Sequence, residues 1–375
     1  MRISYSALLP FAISVALSGC GGSSSSEPQE PIRIPQVESL KKLSSIYMGA
    51  AVPAGYEDQF NNGIETRPDL QDVVNQHFDQ ITAENIMKSA YIQPREGDFT
   101  FQDADNLVDW AIDNNITVHA HALVWHSQMP SWMENFSGDW LAMMDNHVTT
   151  VAEHFKGRVV SWDVVNEAFN DNNINNYATY RDTDANSGGS GSPWYRNLGK
   201  DFIPQAFNLA HAADPTVELY YNDYNIEDGG AKLNSVLRLA DELLAASVPI
   251  DGIGFQMHVN YDWPSAQAIG ESFAKVAAKG LKVKITELDI KMNPTGNNNT
   301  FDNARAEQQL QRYQEIVEAY YSNVPAAQRG GITIWGVSDA DSWIPGFTGH
   351  NDWPLLFNSQ LEQKPAIEGV ANALK

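Results

Sequence analysis

The sequence predicts an α/β fold, a (β/α)8 TIM barrel forming a single catalytic domain, and three observations lead there. Eight short apolar runs rich in β-branched and aromatic residues alternate with amphipathic stretches of helix length, the pattern of a parallel sheet with helices outside it. The chain has 375 residues, room for one large barrel of the usual size of roughly 250 residues or more. No Gly-x-Gly-x-x-Gly follows the first run, which argues against an open dinucleotide-binding sheet.

Taken in order, Met1-Arg2 is a short basic start. Ala7 to Leu17 is an apolar run of about eleven residues, too short to span a bilayer, and Leu17-Ser18-Gly19-Cys20 follows it. This is the pattern of a bacterial lipoprotein signal, so residues 1–19 are expected to be removed and Cys20 lipidated. The chain has 1 Cys, which excludes an intrachain disulfide and leaves the thiol where a lipid would attach. Residues 20–36, with Gly21-Gly22-Ser23-Ser24-Ser25-Ser26 and then Glu27-Pro28-Gln29-Glu30-Pro31, read as a flexible and then stiffer tether. Export across the inner membrane and anchoring at the outer membrane or cell surface, or on its periplasmic face, is the expected localisation.

The folded domain is expected over 37–375, starting where Leu40, Leu43 and Ile46 show a helical spacing. Its strands are expected at Tyr47–Val52, Phe78–Ala83, Thr117–Trp125, Val159–Ala168, Val217–Asn222, Gly252–Val259, Lys282–Ile290 and Gly331–Ser338. Between them Trp140–Phe155, Asp201–Ala213, Ala231–Ala246, Ser265–Lys279 and Ala304–Tyr321 carry helical periodicity. Hydrophobic residues make up 43% of the chain, enough for a large core. The formal charge of −23, from 47 Asp+Glu against 24 Lys+Arg, argues against a nucleic-acid partner and disfavours adhesion to an anionic membrane surface, both of which need a basic face. A monomer is expected.

Barrel chemistry sits at the carboxyl ends of the strands, so the polar residues ending each run are the candidates. The second run leads into Glu84, Asn85 and Lys88. The third ends in His119, His121, Trp125, His126 and Gln128. The fourth ends Asn166-Glu167, the fifth Asn222-Asp223-Tyr224, the sixth Gln256-x-His258, the seventh Glu287-x-Asp289, and the eighth Trp335, with Trp343 in the loop beyond. Glu167 and Glu287 each close an apolar strand, where an unpaired charge is costly. Strands four and seven place them across the barrel mouth from each other. Facing carboxylates suit glycoside hydrolysis, in which one protonates the leaving oxygen and the other attacks carbon or activates water. A pair of rim salt bridges is the structural alternative, but Asn166 beside Glu167 and His258 near Glu287 favour chemistry.

His119-x-His121 with His126 and His258 invites a zinc site. Yet no Cys is available to ligate and no supporting His-Asp pair is visible, so no metal and no cofactor is expected. Donation of imidazole hydrogen bonds to sugar hydroxyls accounts for the same residues. Trp125, Trp132, Trp335, Trp343 and Trp353 fall in loops, where indoles can stack on the apolar faces of sugars; Trp110, Trp140 and Trp162 read as core. Asp182-x-Asp184-x-Asn186 alternates oxygen ligands like a calcium loop, but Gly188 and Pro193 break that pattern, and a solvated surface loop is expected there.

These motifs together resemble glycoside hydrolase family 10, the retaining endo-β-1,4-xylanases, over roughly residues 40 to 374. The matching pieces are Thr82-Ala83-Glu84-Asn85-x-x-Lys88, His121-x-Leu123-Val124-Trp125-His126, Trp162-Asp163-Val164-Val165-Asn166-Glu167-Ala168, Tyr221-Asn222-Asp223-Tyr224-Asn225, Gln256-x-His258, Thr286-Glu287-Leu288-Asp289, and Trp335-Gly336-Val337-Ser338-Asp339 with Ser342-Trp343. The resemblance implies Glu167 as general acid/base and Glu287 as nucleophile, with Asn166 on the sugar 2-hydroxyl and His258, backed by Asp289, orienting Glu287. It implies that Glu84, Asn85, Lys88, His121, Trp125, Gln128, Gln256 and Trp335 bind the non-reducing-side sugars, that Trp343 excludes a hydroxymethyl group, and that Asn222 and Tyr224 reach the reducing side. Xylan and xylo-oligosaccharides are then the expected partners, with short oligosaccharides favoured by the anchored location. A related β-glucan glycosidase and a non-catalytic polysaccharide-binding lipoprotein are the alternatives. Since acid and nucleophile need separated pKa values, Glu167 is expected to be partly protonated near neutrality. Ile344, Ala340, Ala120 and the long 170–191 loop depart from the family pattern without removing a catalytic group.

Overall fold

The computed structural model describes residues 31–55, 63–182 and 191–374. The expected signal, Cys20 and most of the tether lie outside the described residues, as do Asp184 and Asn186 of the calcium-like loop.

After a short helix at Leu40–Leu43, the strands are β1 (Met48–Val52), β2 (Gln80–Ala83), β3 (Thr117–Trp125), β4 (Ser161–Asn166), β5 (Glu218–Asp223), β6 (Gly252–Phe255), β7 (His258–Asn260), β8 (Lys282–Lys291) and β9 (Arg329–Ile334). All pairings are parallel, in the order β6-β5-β4-β3-β2-β1-β9-β8, and a β6–β8 pairing closes the ring, with the short β7 lying against β8. The barrel and its ring of helices cover both faces of each strand. That is why these strands read as continuous apolar runs rather than alternating ones: β1, β2, β4 and β6 are buried at every position.

The helices obey local rules. Asp139 caps Trp140–His154 by accepting from the backbone N–H groups of Leu141 and Ala142, Ser265 caps Ala266–Ala277, and Asp302 caps Asn303–Asn323, each satisfying donors a helix start leaves open. Trp162 is fully buried, and Trp140 packs edge-on against Trp194 at 5.4 Å.

Most strand ends lie within one or two residues of the sequence reading, the last strand closing at Ile334 rather than Ser338, and two differences have a visible cause. The second strand begins at Gln80 rather than Phe78, because Phe78 N–H still closes a helical bond to Val74 O at 2.9 Å. The sixth run does not stay extended to Val259. Met257 takes φ 63°, and its N–H donates to buried Glu227 Oε1 at 2.8 Å, splitting the run into β6 and β7. This break swings His258 out of the barrel wall and onto β8, where it meets Glu287 and Asp289.

The barrel interior carries a polar layer beneath its mouth. Asp163, 1% exposed, accepts from His121 Nδ1 at 2.9 Å and faces His119 Nε2 at 3.1 Å, while Lys284 Nζ donates to Gln80 Oε1 and Gly330 O. Burial pushes the Lys284 ammonium down to about 8. Outside, the loop carrying Trp343 is tied to the C-terminal segment by buried Lys364, whose Nζ donates at 2.8 Å to Asp339 Oδ2, Trp353 O and Leu355 O. Removing one partner strands a buried charge and two carbonyls. Lys364→Ala is therefore expected to destabilise the fold by about 3 kcal/mol or more, read as a lower urea midpoint at unchanged slope.

Candidate active site

One cleft of about 710 Å³ opens at the carboxyl ends of the strands. It is lined by Glu84, Asn85, Lys88, His121, Trp125, Gln128, Asn166, Glu167, Tyr224, Gln256, His258, Glu287, Trp335 and Trp343, so the barrel brings together nearly every residue selected from the sequence.

Glu287 projects from the middle of β8 and is 5% exposed. Its Oε1 accepts from Asn222 Nδ2 at 2.8 Å, and its Oε2 lies 3.2 Å from His258 Nε2. His258 Nδ1 in turn lies 2.9 Å from Asp289 Oδ2, the same oxygen that accepts from Trp343 Nε1 at 2.8 Å. Burial alone would depress the imidazole, but the two carboxylates overcome it and push His258 up to about 10. His258 is thus imidazolium at neutral pH and donates from both nitrogens. Glu287 is gripped by two donors, one on each carboxylate oxygen.

Asn222 needs correction. The sequence placed it on the reducing side of the substrate, but it is fully buried. Its Oδ1 accepts from Thr286 Oγ1 at 2.7 Å, and its Nδ2 serves Glu287. It holds Glu287 and does not itself line the cleft. Glycine at 254 makes this possible, because a Cβ there would lie 2.4 Å from Asn222 Oδ1.

Glu167 ends β4 in the left-handed region, φ 58°, a conformation that costs a non-glycine residue of order 1 kcal/mol or more and clusters at functional sites. Its N–H donates to Asn222 O at 2.9 Å, and its Oε1 accepts from Gln256 Nε2 at 3.0 Å. His126 Nε2 stands 4.0 Å from its Oε2. Burial works to raise this carboxyl, but the charge of His126 and the donors Gln256 and Trp125 outweigh it and hold Glu167 below the usual range. The direction is opposite to that expected of a proton donor, because in the open cleft the side chains around Glu167 favour its charged form. His126→Gln should raise that pKa and move the basic limb of a kcat/KM–pH profile upward by about half a unit or more. An unmoved limb would exclude His126 as the tuning charge.

Asn166 lies between the two glutamates, its amide 3.1 Å from Asn222 Nδ2 and 3.2 Å from Gln256 Nε2. On the β2–β3 side Lys88 Nζ donates to Asn85 Oδ1 at 2.9 Å and sits 5.0 Å above the Trp125 ring; Gln128 Nε2 reaches the same oxygen at 3.3 Å. Burial pushes Glu84 up to about 7 against the pull of Lys88, so near neutrality it can both donate to and accept from a hydroxyl. His121 packs edge-on to Trp335, 5.6 Å between rings. This end is a patch of amides, one ammonium and two indoles, suited to a ligand with many hydroxyls and apolar ring faces. On the opposite flank Tyr224 carries Lys232 Nζ 3.4 Å over its ring and accepts from Arg181 at 3.0 Å.

The tryptophans expected in loops divide, and Trp125 ends β3 while Trp132 and Trp343 sit in short helices. Trp125, Trp335 and Trp343 line the cleft, whereas Trp132 donates to Gln93 O at 2.9 Å and packs on Phe136, and Trp353 lies against Phe301. Those two brace loops instead of forming a platform. The His-x-His pair serves Asp163 and Ser161 rather than forming a chelate. His121, Asp163 and Glu287 offer ligand atoms within 4.8 Å of one another, each already engaged in the hydrogen bonds above. Sequence reasoning missed Asp163, Arg181 and Lys232. Arg181 could have been noticed only as an arginine inside a polar loop, which is no signal.

Comparison with known proteins agrees with this geometry. Residues 37–373 match the description Glycosyl hydrolase family 10. Endo-beta-1,4-xylanase Xyn10C of Cellvibrio japonicus is 43% identical over 360 residues, covering 90% of this chain and 58% of that protein, so the chain spans little more than half the length of that relative. Endo-1,4-beta-xylanase B of Thermotoga neapolitana is 35% identical over 370 residues, 97% of each chain. Among solved structures, a variant of xylanase 10C from Cellvibrio japonicus in complex with xylopentaose superposes with a TM-score of 0.84 at 42% identity, covering 90% of this chain and 69% of that one. A barrel closed in this order, with two glutamates held at one mouth by these partners, places the chain in glycoside hydrolase family 10.

Proposed function

We propose that this protein is an endo-1,4-β-xylanase that cleaves xylan and xylo-oligosaccharides by a retaining double displacement. The observation that carries the reading is the unequal treatment of two carboxylates in one cleft. Glu287 is clamped by Asn222 and His258 as a fixed attacking group, while Glu167 sits on a strained strand end with a charge-tuning histidine. In the first step the Glu287 carboxylate attacks the anomeric carbon, the bond to the leaving sugar oxygen breaks, and Glu167 gives that oxygen its proton. In the second, water attacks the same carbon, the ester to Glu287 breaks, and Glu167 takes the proton from water. A bound sugar chain displaces water around Glu167 and raises its pKa from the depressed value of the open cleft, which readies it as an acid. Asn166 binds the sugar 2-hydroxyl between the two groups. Glu84, Asn85, Lys88, His121, Trp125, Gln128, Gln256 and Trp335 hold the non-reducing side, and Tyr224 meets the reducing side.

Trp343, fixed through its Nε1 to Asp289 and packed 5.0 Å from the His258 ring, walls the space a hydroxymethyl group would need and so selects xylose over glucose. Proton NMR of xylohexaose and cellohexaose digests tests the whole reading. Early β-anomer from internal cuts of xylohexaose, with cellohexaose intact, is expected. Early α-anomer would sink the direct-attack role of Glu287, and cellohexaose cut at an equal rate would transfer the protein to β-glucans.

We further propose attachment as a lipoprotein through Cys20, supported by the apolar run and the small residues before it. Incorporation of labelled palmitate that disappears in Cys20→Ser is the expected result; label retained in that variant would refute it.

A further inference from the structure

Arg181 belongs to the segment expected to be a solvated loop, yet it is only 5% exposed. Residues 168–170 and 179–181 pair back on each other just past β4. Arg181 N–H donates to Ala168 O at 2.8 Å, Asn170 N–H to Thr179 O at 2.9 Å, and Ser192 N–H to Arg181 O at 2.8 Å. This return delivers the guanidinium beneath the end of β4. There its Nε donates to the backbone carbonyl of Glu167 at 3.2 Å, and its Nη2 to Phe169 O at 2.9 Å and to Tyr224 Oη at 3.0 Å.

Those contacts meet Glu167 where its backbone is strained. The left-handed φ of 58° persists only if the surroundings over-determine it. The N–H of Glu167 is fixed by Asn222 O, and the next N–H, of Ala168, by Tyr221 Oη at 3.0 Å. The carbonyl between them is fixed by Arg181. A planar guanidinium presents its Nε and Nη2 donors in one rigid arrangement to this carbonyl, the Phe169 carbonyl and the phenol, whereas a lysine would have to reach all three from a single nitrogen on a flexible stem. Without it the part-buried carbonyl loses this donor, and the Glu167 peptide is released to rotate toward the extended region, carrying the carboxyl away from the cleavage point.

We propose that Arg181 is a positioning residue for the acid/base, holding Glu167 in its left-handed conformation and linking that geometry to Tyr224 on the reducing-side wall. The inference rests on the reading of Glu167 as acid/base, and the test separates the two. Xylohexaose needs leaving-group protonation, whereas the 2,4-dinitrophenyl glycoside of xylobiose does not. An Arg181→Met variant with a misplaced Glu167 should lower the ratio of kcat/KM on xylohexaose to that on the dinitrophenyl glycoside by about 100-fold, the scale expected for a misplacement near 1 Å. Added azide should raise kcat on the dinitrophenyl glycoside in the variant, by replacing water that lacks its base, and leave the wild type unmoved. Arg181→Lys should show the same pattern at roughly a tenth of the size, and it carries the comparison if the methionine variant does not fold. An unchanged ratio, with both substrates falling together or neither falling, overturns the proposal and leaves Arg181 a structural residue. If the wild type cleaves neither substrate, the functional reading itself fails.

Discussion

Glu287→Gln is expected to reduce turnover of xylohexaose by roughly 10⁵-fold or more, the scale seen when a covalent nucleophile is removed and the rest of the site remains. The substitution keeps size and shape, so the cleft and its affinity for xylohexaose should survive; calorimetric binding to the variant checks this. What changes is chemistry at one atom pair. The amide oxygen can still accept from Asn222 Nδ2, which now stands 2.8 Å from Glu287 Oε1, but it is too weak a nucleophile to form the glycosyl ester. The same variant carries a second readout. His258 is held up at about 10 against its burial by Asp289 and Glu287 together, so removing one carboxylate should lower the imidazole pKa, seen by NMR titration of its ring protons. Residual turnover within about 100-fold of wild type would mean another group attacks the anomeric carbon.

Glu167→Ala is expected to behave differently, because its task depends on the leaving group. On xylohexaose kcat/KM should fall by about 10²- to 10⁴-fold, the usual contribution of a positioned acid/base. On a dinitrophenyl xylobioside the first step needs no proton, so kcat/KM should stay within about tenfold of wild type, while kcat falls because water is no longer deprotonated in the second step. Azide, which needs no base, should restore that kcat and appear in the product as the β-glycosyl azide. An α-azide, or no rescue at all, would remove Glu167 from the acid/base role. Such a result would also make the low pKa of its carboxyl in the open cleft, set by His126, Gln256 and Trp125, the resting state of a residue that never protonates.

Both glutamates were visible before any coordinates, for a local reason. A carboxylate at or near the end of a largely apolar strand is costly unless paired, so Glu167 after Ser161–Asn166 and Glu287 within Lys282–Lys291 stand out. The strand–helix alternation was legible on the same ground, since burial on both faces imposes its own period on the chain. Helical periodicity is local too, and the five helices read from it start within a residue of where the structure has them.

What the sequence could not show is which donor meets which carboxylate. Asn222 sits two residues before Tyr224 and looked like its companion at the substrate. Closure of the barrel instead turns it inward to Glu287, 65 positions away. The break at Met257, which puts His258 against Glu287 and Asp289, depends on Glu227, 30 residues earlier, capturing one N–H. Arg181 reads as part of a polar loop until the chain folds back and sets it under Glu167, 14 residues upstream. The barrel, the strand ends that form the cleft and the two carboxylates that meet in it were legible in the sequence, because hydrophobic periodicity and the cost of isolated charge act over a few residues. The partners that pull on the Glu167 carboxyl and the grip on Glu287 came from the closed barrel alone, because electrostatic and hydrogen-bonding partners are chosen by distance in space, and closure sets those distances.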